Sequence, residues 1–192
     1  MRLMAMVMMA ALGTGAWAAG AGAEEVRTVT VCIGPHPEAP TWSAGRIASD
    51  IFSTIGVRLD WHSGLCPASP GVLQISFADR APKGEPAGAL AYASPYEGTH
   101  IVVLYERVRL QCGCACELLA YVLVHEITHM LEGISRHSES GIMKEHWDLA
   151  DYKRIRSKTL AFAAADVELI HLGLDRRVAR LAGLVRVAVS AR

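Results

Sequence analysis

The chain has 192 residues, of which 52% are hydrophobic, and its 19 Lys and Arg residues balance 19 Asp and Glu residues, so the formal net charge is zero. A chain of this length and hydrophobic content can bury a sizeable core within one domain. The charge balance provides no basic surface for nucleic acid, and no long run of like charges indicates disorder. Any chemistry must therefore come from local groups of residues.

The N-terminal segment has the features of a secretory signal peptide. Arg2 supplies a positive charge, residues 3–12 form an apolar run, and small residues follow. The Ala-Trp-Ala of residues 16–18 and the Ala-Gly-Ala of residues 21–23 both fit the pattern that precedes signal cleavage. Cleavage after the second triplet would leave Glu24 as the mature N-terminus.

We therefore predict a signal peptide over 1–23 and a single domain over 24–192, which would be secreted or periplasmic. After removal of the signal, we expect no stable membrane insertion. An uncleaved membrane anchor is the alternative, although the apolar run is short for a spanning helix.

Export would place the five cysteines of the chain in an oxidising compartment, where disulfides are the default. Cys32 closes a predicted strand and Cys66 follows another, so these two are a candidate pair. Cys112, Cys114 and Cys116 alternate with small residues and could either close a tight loop by a disulfide or bind a soft metal. Because the count is odd, at least one thiol is unpaired or intermolecular, and the connectivity stays open.

The first half of the domain alternates strands with a helix. Residues 26–33 are β-branched and alternating, which predicts a strand, and a proline-rich loop follows. Thr41 or Ser43 could cap a helix that runs to about Ile55, and residues 57–61 form a second strand. This order predicts a parallel strand pair with a helical crossover. Further strands are predicted over 72–77 and 100–105.

A long apolar run from Leu118 to Leu131 predicts a buried helix that carries His125, Glu126 and His129. Residues four apart lie on one helix face, so His125 and His129 can offer two imidazoles to one ion. Glu126 would then lie beside an open coordination position for water. Two imidazoles and a carboxylate base in this spacing are typical of zinc hydrolases.

A catalytic zinc ion needs a third protein ligand. Glu132 is on the same side of the helix but lies about 10 Å further along the axis than His125. Gly133 can end the helix in a left-handed conformation and let the chain reverse. His137 is then the candidate third ligand.

The motif His125-Glu126-Ile127-Thr128-His129, the helix-ending Gly133, the pair His137-Ser138 and the triplet Gly141-Ile142-Met143 resemble the metzincin zinc endopeptidases, especially matrixin-like members. Residues 141–147 also resemble small exported bacterial proteins of predicted metalloprotease type. Metzincins have the glycine three residues and the third histidine six residues after the second ligand. Here the separations are four and eight residues, so Glu145, His146 and Asp148 remain alternative third ligands.

This resemblance implies a metzincin-like zincin fold of the α/β (α+β) class, with a small mixed sheet, a crossover helix, an active-site helix and C-terminal helices. It also implies that Met143 lies in a turn beneath the metal, and that an edge strand lines the cleft and pairs with an extended peptide. The segment 88–105 is the candidate for that edge; its other interpretation is a loop and a core strand.

The C-terminal third is predicted to be helical. Asp148 can cap a helix that continues past Tyr152, and a short helical stretch over 166–172 would end at Gly173 before an amphipathic helix that begins at Asp175. That last helix either docks onto the domain or, being basic, lies on a membrane surface. His62 and His171 lack ligand spacing and are not predicted to bind metal, and Tyr152 is a candidate oxyanion donor.

The sequence therefore predicts an exported Zn²⁺-dependent endopeptidase acting on a peptide or protein substrate, with Glu126 as general base and His125, His129 and His137 as metal ligands. The alternative from another class is a non-catalytic exported metal-binding protein that uses the His and Cys clusters. Hydrolysis of a non-peptide amide is a further alternative. No nucleic-acid partner is expected.

Overall fold

The computed structural model describes residues 26–67, 69, 71–81, 88–94, 96, 99–111 and 113–190, with side chains of the last helix described to Leu184. The predicted signal peptide and Cys112 lie outside these residues, as does most of the glycine- and proline-rich loop over 82–88. None of the helices within the described ranges combines the length and the apolar character that crossing a bilayer requires.

Five strands form one mixed sheet in the order β2-β1-β3-β5-β4, and their bounds are β1 (Arg27–Ile33), β2 (Val57–Ser63), β3 (Leu73–Phe77), β4 (Ala91–Ala93) and β5 (His100–Val103). β1 is parallel to β2 and to β3, and β3 is parallel to β5. Only β4 is antiparallel to its neighbour, and it forms an edge of the sheet. The strands predicted from sequence alternation are confirmed, with small differences at their ends.

Helix α1 (Thr41–Ser53) makes the predicted crossover between the parallel strands β1 and β2. Its buried residues Ala44, Ala48 and Phe52 recur every four positions, so one face of the helix packs against the core. The predicted cap was wrong: Pro40 occupies the N-cap position and no side chain caps the helix. Thr41 is the first residue of the helix and not its cap, and its N–H donates to the Ala39 carbonyl at 2.8 Å.

Helix α3 (Ala115–Glu132) is buried on nearly all sides after its first turn. It packs against α1, β4 and β5 and against the later helices α4 (Leu149–Ser157) and α5 (Ala164–Ser190). A short helix, α2 (Tyr105–Gln111), leads into it and was not predicted, since the strand expected over 100–105 ends at Val103. A helix that is apolar all round belongs in a protein interior.

For the two C-terminal helices, the structure confirms the predicted start of α4 and contradicts the predicted break within α5. Asp148 caps α4 as predicted, and its carboxylate accepts from the N–H groups of Ala150 and Asp151. The predicted break at Gly173 was wrong, because α5 is one continuous helix. α5 docks on the domain through Arg177, whose guanidinium donates to the carbonyls of Met130 and Gly71.

The predicted disulfide between Cys32 and Cys66 is confirmed, with a Cα–Cα distance of 5.9 Å. It ties the buried end of β1 to the loop after β2. Cys114 is also disulfide-bonded, whereas Cys116 carries a free thiol. An oxidised cysteine pair is the expected state of a protein outside the reducing cytosol.

Candidate metal centre

The four residues singled out from the motif come from one helix and the loop that follows it. His125, Glu126 and His129 lie on α3, which ends at Glu132. Gly133 adopts the predicted left-handed conformation (φ 70°, ψ 21°), and its N–H donates to the His129 carbonyl at 2.9 Å. The chain reverses there and brings His137 back to the two helical histidines.

The three imidazoles meet at one point. Their ring nitrogens lie within 4.8 Å of one another, which makes them a group able to hold a metal ion. The ring centroid of His137 is 5.3 Å from that of His125 and 5.0 Å from that of His129, and the two helical rings are 4.7 Å apart. The separation of eight residues between His129 and His137 is therefore compatible with a shared site.

Backbone carbonyls hold the outer nitrogens of the two helical histidines. The Nδ1 of His125 is 2.9 Å from the Ile142 carbonyl oxygen, and the Nδ1 of His129 is 3.3 Å from the Ile134 carbonyl oxygen. A carbonyl oxygen can only accept, so each Nδ1 must carry the proton and donate it. In the neutral rings, each Nε2 atom then carries no proton and has a lone pair available for a metal ion.

These two lone pairs point towards each other. The Nε2 atoms of His125 and His129 are 3.1 Å apart, and with both Nδ1 atoms protonated no hydrogen remains to bridge them in the neutral pair. Two ligand nitrogens at about 2.05 Å from a tetrahedral zinc ion would be about 3.3 Å apart. The residues therefore fit a divalent cation of this kind, and the carbonyl partners are the support that metal-binding histidines usually have.

Burial keeps these rings uncharged. It lowers the pKa of His125 to about 3 and that of His129 to about 4, with the neighbouring histidines adding to the effect in both cases. Burial lowers the pKa of His137 as well. Neutral imidazole is the form that binds metal, so the site is prepared to do so at neutral pH.

A tight turn over residues 141–144 supports the site from below. Gly141 has a positive φ of 78°, and a Cβ there would lie 2.6 Å from the Ala161 carbonyl oxygen, so only glycine fits. The Ile142 carbonyl accepts from both His125 and the indole N–H of Trp147, at 2.9 Å and 3.1 Å. Met143 follows and is buried at 1% exposure, consistent with the predicted apolar floor.

The three histidines and Glu126 line one cleft of about 620 Å³. Residues 88–93, which include the edge strand β4, also line it, as do Gln111, Val122, Ser135, Lys144, Glu145, His146, Trp147 and Tyr152. Glu126 is 8% exposed and lies on the same helix as two of the histidines. An extended cleft with a carboxylate beside a potential metal site can accommodate a hydrolytic reaction.

The alternative ligands lie in different places. Glu145 and His146 line the cleft as exposed residues, whereas Asp148 is engaged as the cap of α4 and in an ion pair with Lys144 at 2.8 Å. The Tyr152 hydroxyl lies on the cleft wall and accepts from the side-chain amide of Gln111 at 3.0 Å. His62 pairs with Asp60 and His171 with Arg27, and neither belongs to the group of three histidines.

Two residues that line the cleft or support the histidines were not predicted from the sequence. Gln111, at the end of the unpredicted helix α2, contributes to the cleft wall, and Asp166 binds the residues on either side of His137. Gln111 directly precedes Cys112 in the chain and belongs to no recognisable sequence motif. Asp166 lies 29 residues after His137 in the chain, and nothing in the local pattern marks it.

The fold resembles that of a solved protein. The crystal structure of archaemetzincin from Methanopyrus kandleri matches with a TM-score of 0.56 and 15% sequence identity, and the alignment covers 81% of this chain and 99% of that one. The chain therefore has a metzincin-like fold, which confirms the predicted fold class. No protein-family model matches the sequence, and no curated protein does.

Proposed function

We propose that this protein is an exported zinc-dependent endopeptidase. The observation that carries the proposal is the pair of facing, unprotonated Nε2 atoms of His125 and His129, with His137 and Glu126 in the same cleft. Such a donor set suits a catalytic zinc ion, which takes three protein ligands and keeps one position open. The metzincin-like fold supports the same conclusion.

Each residue has a distinct part in the proposed site. His125, His129 and His137 would hold the ion, and the carbonyls of Ile142 and Ile134 fix the orientation of the first two rings. When bound, zinc supplies a Lewis acid that polarises a substrate carbonyl and lowers the pKa of water. Met143 stays in the core beneath and makes no contribution to the chemistry.

Glu126 is the proposed general base. Its carboxylate accepts a proton from the water that attacks the peptide carbonyl, and it then returns that proton to the leaving amine. Its position beside the first ligand on α3 puts it in the cleft without requiring any further loop. A helix that is buried along its length holds this carboxylate more firmly than a loop would.

The edge strand β4 is the proposed docking strand for substrate. β4 is the last strand of the sheet, it lines the cleft, and its inner side is paired with β5. An extended peptide that enters the cleft can add to the outer side of β4 by main-chain hydrogen bonds, which would place its carbonyls across from the histidines. This mode favours unstructured peptides and proteins as substrates.

Substitution of the base tests the proposal. In Glu126→Gln we expect about 10²- to 10⁴-fold slower cleavage of an unstructured protein such as casein, because the proton acceptor is lost. Zinc content should stay near one equivalent per chain, since no ligand is removed. Chelation of the wild type should abolish cleavage, and added zinc should restore it.

Glu117→Gln is the matched control, because it makes the same change in the first turn of the same helix, away from the cleft. It should retain the wild-type rate. Full activity in Glu126→Gln would remove Glu126 from the mechanism. Tight zinc binding with no hydrolytic activity in the wild type would instead favour a non-catalytic metal-binding protein, and cleavage of small amides alone would favour a non-peptide amidase.

The exported location is the second part of the proposal, and the Cys32–Cys66 disulfide supports it. The mature protein recovered from the periplasm or the medium should begin at Glu24, or at Ala19 if the first triplet is used. A protein that keeps its first residues and stays in the cytosol would contradict export.

A further inference from the structure

His137 differs from the other two histidines in how it is held. The rings of His125 and His129 each donate to a backbone carbonyl, whereas the ring of His137 makes no hydrogen bond within the described part of the chain. His137 also lies in an irregular loop and is exposed, while His129 is buried in a helix. The His137 ring packs against those of His125 and His129, and the position of its backbone decides whether the ring can reach them.

The residues on both sides of His137 are bound to one buried carboxylate. The guanidinium of Arg136 donates to Asp166 Oδ1 at 2.6 Å, and the hydroxyl of Ser138 donates to the same oxygen. The side chain of Asp166 is 0% exposed, and it lies in the first turn of α5. Charge-assisted bonds of this kind are short and strong when they are shielded from water.

Further bonds make the loop around His137 continuous with the rest of the site. The Ser138 N–H donates to the Met143 carbonyl at 2.8 Å, which joins the loop to the turn beneath the histidines. Arg136 also donates to the carbonyl of His137 itself at 3.3 Å. The Arg136 Nε lies 3.8 Å from Glu132, but the Glu132 oxygens make no hydrogen bond with any residue that the structure describes, so Asp166 is the acceptor that anchors this loop.

We propose that Asp166 is the positioning residue for the third metal ligand: by holding Arg136 and Ser138, it fixes the backbone on either side of His137 and so sets the direction of that ring. The inference rests on the proposed function, because it assigns His137 to the metal. Four irregular residues, 133–136, connect the end of α3 to His137, and without an anchor they would leave the third ligand to search many conformations before it could bind. Asp166 thereby lowers the entropy lost on metal binding.

The test is a metal titration of Asp166→Asn, with zinc followed by a competing chelator and with Co²⁺ followed by its visible absorption spectrum. The asparagine keeps the size of the side chain but removes the charge that holds Arg136. We expect metal affinity to fall by about 10- to 100-fold, the usual effect of removing support from a ligand. The Co²⁺ spectrum should shift towards that of His137→Ala.

A double-variant cycle separates positioning from a general effect on folding. If Asp166 acts through His137, Asp166→Asn should cause no further loss of affinity once His137→Ala is present. Asp175→Asn is the matched control, since it removes a carboxylate of the same helix that pairs with Arg27 at 3.0 Å, away from the histidines. It should bind metal as the wild type does.

Ser138→Ala provides a second route if Asp166→Asn does not fold. It removes one of the two bonds while the buried carboxylate of Asp166 stays paired with Arg136, so it should weaken metal binding in the same direction by a smaller factor, and only when His137 is present. Wild-type affinity in both variants, or an equal loss with and without His137, would overturn the role of Asp166 and leave the proposed function intact. A wild-type protein without a tight metal site would refute the proposed function together with this inference.

Discussion

His125 and His129 are kept neutral by their burial, and this has a consequence for the metal-free protein. With pKa values of about 3 and about 4 in the folded state, both rings stay uncharged where an exposed imidazole, at about 6.5, would begin to take up a proton. The unfolded chain therefore binds more protons below pH 6.5. This pair contributes stability above that pH and loses its contribution as the pH falls towards 4 and below.

Glu132 shows the opposite behaviour in the same helix. Burial raises its pKa from 4.5 to about 7, Arg136 opposes the shift and Asp166 adds to it. The folded protein thus retains a proton that the unfolded chain releases above about pH 4.5. As the pH rises from 4.5 to 7, Glu132 costs the folded state stability, and above pH 7 the cost is constant.

Glu132→Gln should remove this cost. We expect the variant to gain stability relative to the wild type between pH 5 and pH 8, so that its free energy of unfolding is larger than that of the wild type at pH 8 by up to about 3 kcal/mol more than at pH 5. Urea denaturation of both proteins at the two pH values measures the difference, and the contribution of the histidines cancels because both proteins contain them. Glu117→Gln, at the partly exposed start of α3, should show no such dependence. A difference that is the same at both pH values would contradict the assigned cause.

At the residue scale, the sequence predicted what is local and missed what is long-range. The spacing of His125 and His129 follows from helix geometry, and the left-handed conformation of Gly133 follows from its place at the helix end. His137 was indicated by the order of its motif. Asp166 and Gln111 could not be predicted, because their partners are brought to them only by the folded chain.

At the scale of elements, Gly173 is the instructive error. A glycine after a short helical stretch is a common stop signal, yet here it lies inside α5, and a Cβ added there would overlap the carbonyl group of Leu131. The glycine allows α5 to approach α3 closely just where α3 ends. A sequence pattern cannot distinguish a glycine that ends a helix from one that lets two helices touch.

Gly173→Ala should therefore destabilise the protein by about 1 to 3 kcal/mol, because the two helices must move apart. Gly183→Ala is the matched control in the same helix, since nothing lies within 4 Å of the position that its added methyl group would take. That change should stabilise the protein by up to about 1 kcal/mol through helix propensity. Urea denaturation measures both effects. A neutral or stabilising Gly173→Ala would mean that the close approach of α5 to α3 does not constrain the fold.

Other elements were predicted to the extent that their signals are local. Asp148 was predicted to cap α4 and does so, and the structure adds a capping box in which the Asp151 carboxylate accepts from the Asp148 N–H. Helix α2 has only seven residues and follows an apolar strand directly, so its pattern merges with that of β5. Pro40 occupies the position of the expected polar cap of α1, and the Thr41 N–H donates to the Ala39 carbonyl.

At the scale of the whole molecule, the parallel crossover was predictable from element order and the fold class from the resemblance of the histidine motif to the metzincins, whereas the strand order was not. The sequence segment 88–105 had two interpretations, and each holds for a part of it: β4 is the edge that lines the cleft, and β5 is a core strand inside the sheet. The order β2-β1-β3-β5-β4 depends on which strands become neighbours when the apolar faces pack in the folded protein. Local sequence periodicity carries no information on these long-range contacts. The disulfide Cys32–Cys66 was one of the candidate pairings, because Cys32 closes a predicted strand and Cys66 follows another.

The central claim is that one divalent cation is held by three imidazoles from a helix and a reversed loop. Equilibrium zinc titration of the wild type, His137→Ala and His146→Ala tests it most directly, because His146 lines the same cleft but lies outside the group of three. We predict one tight equivalent for the wild type and for His146→Ala, and an affinity lower by at least about 100-fold for His137→Ala. Full zinc binding in His137→Ala, or its loss in His146→Ala, would contradict the claim.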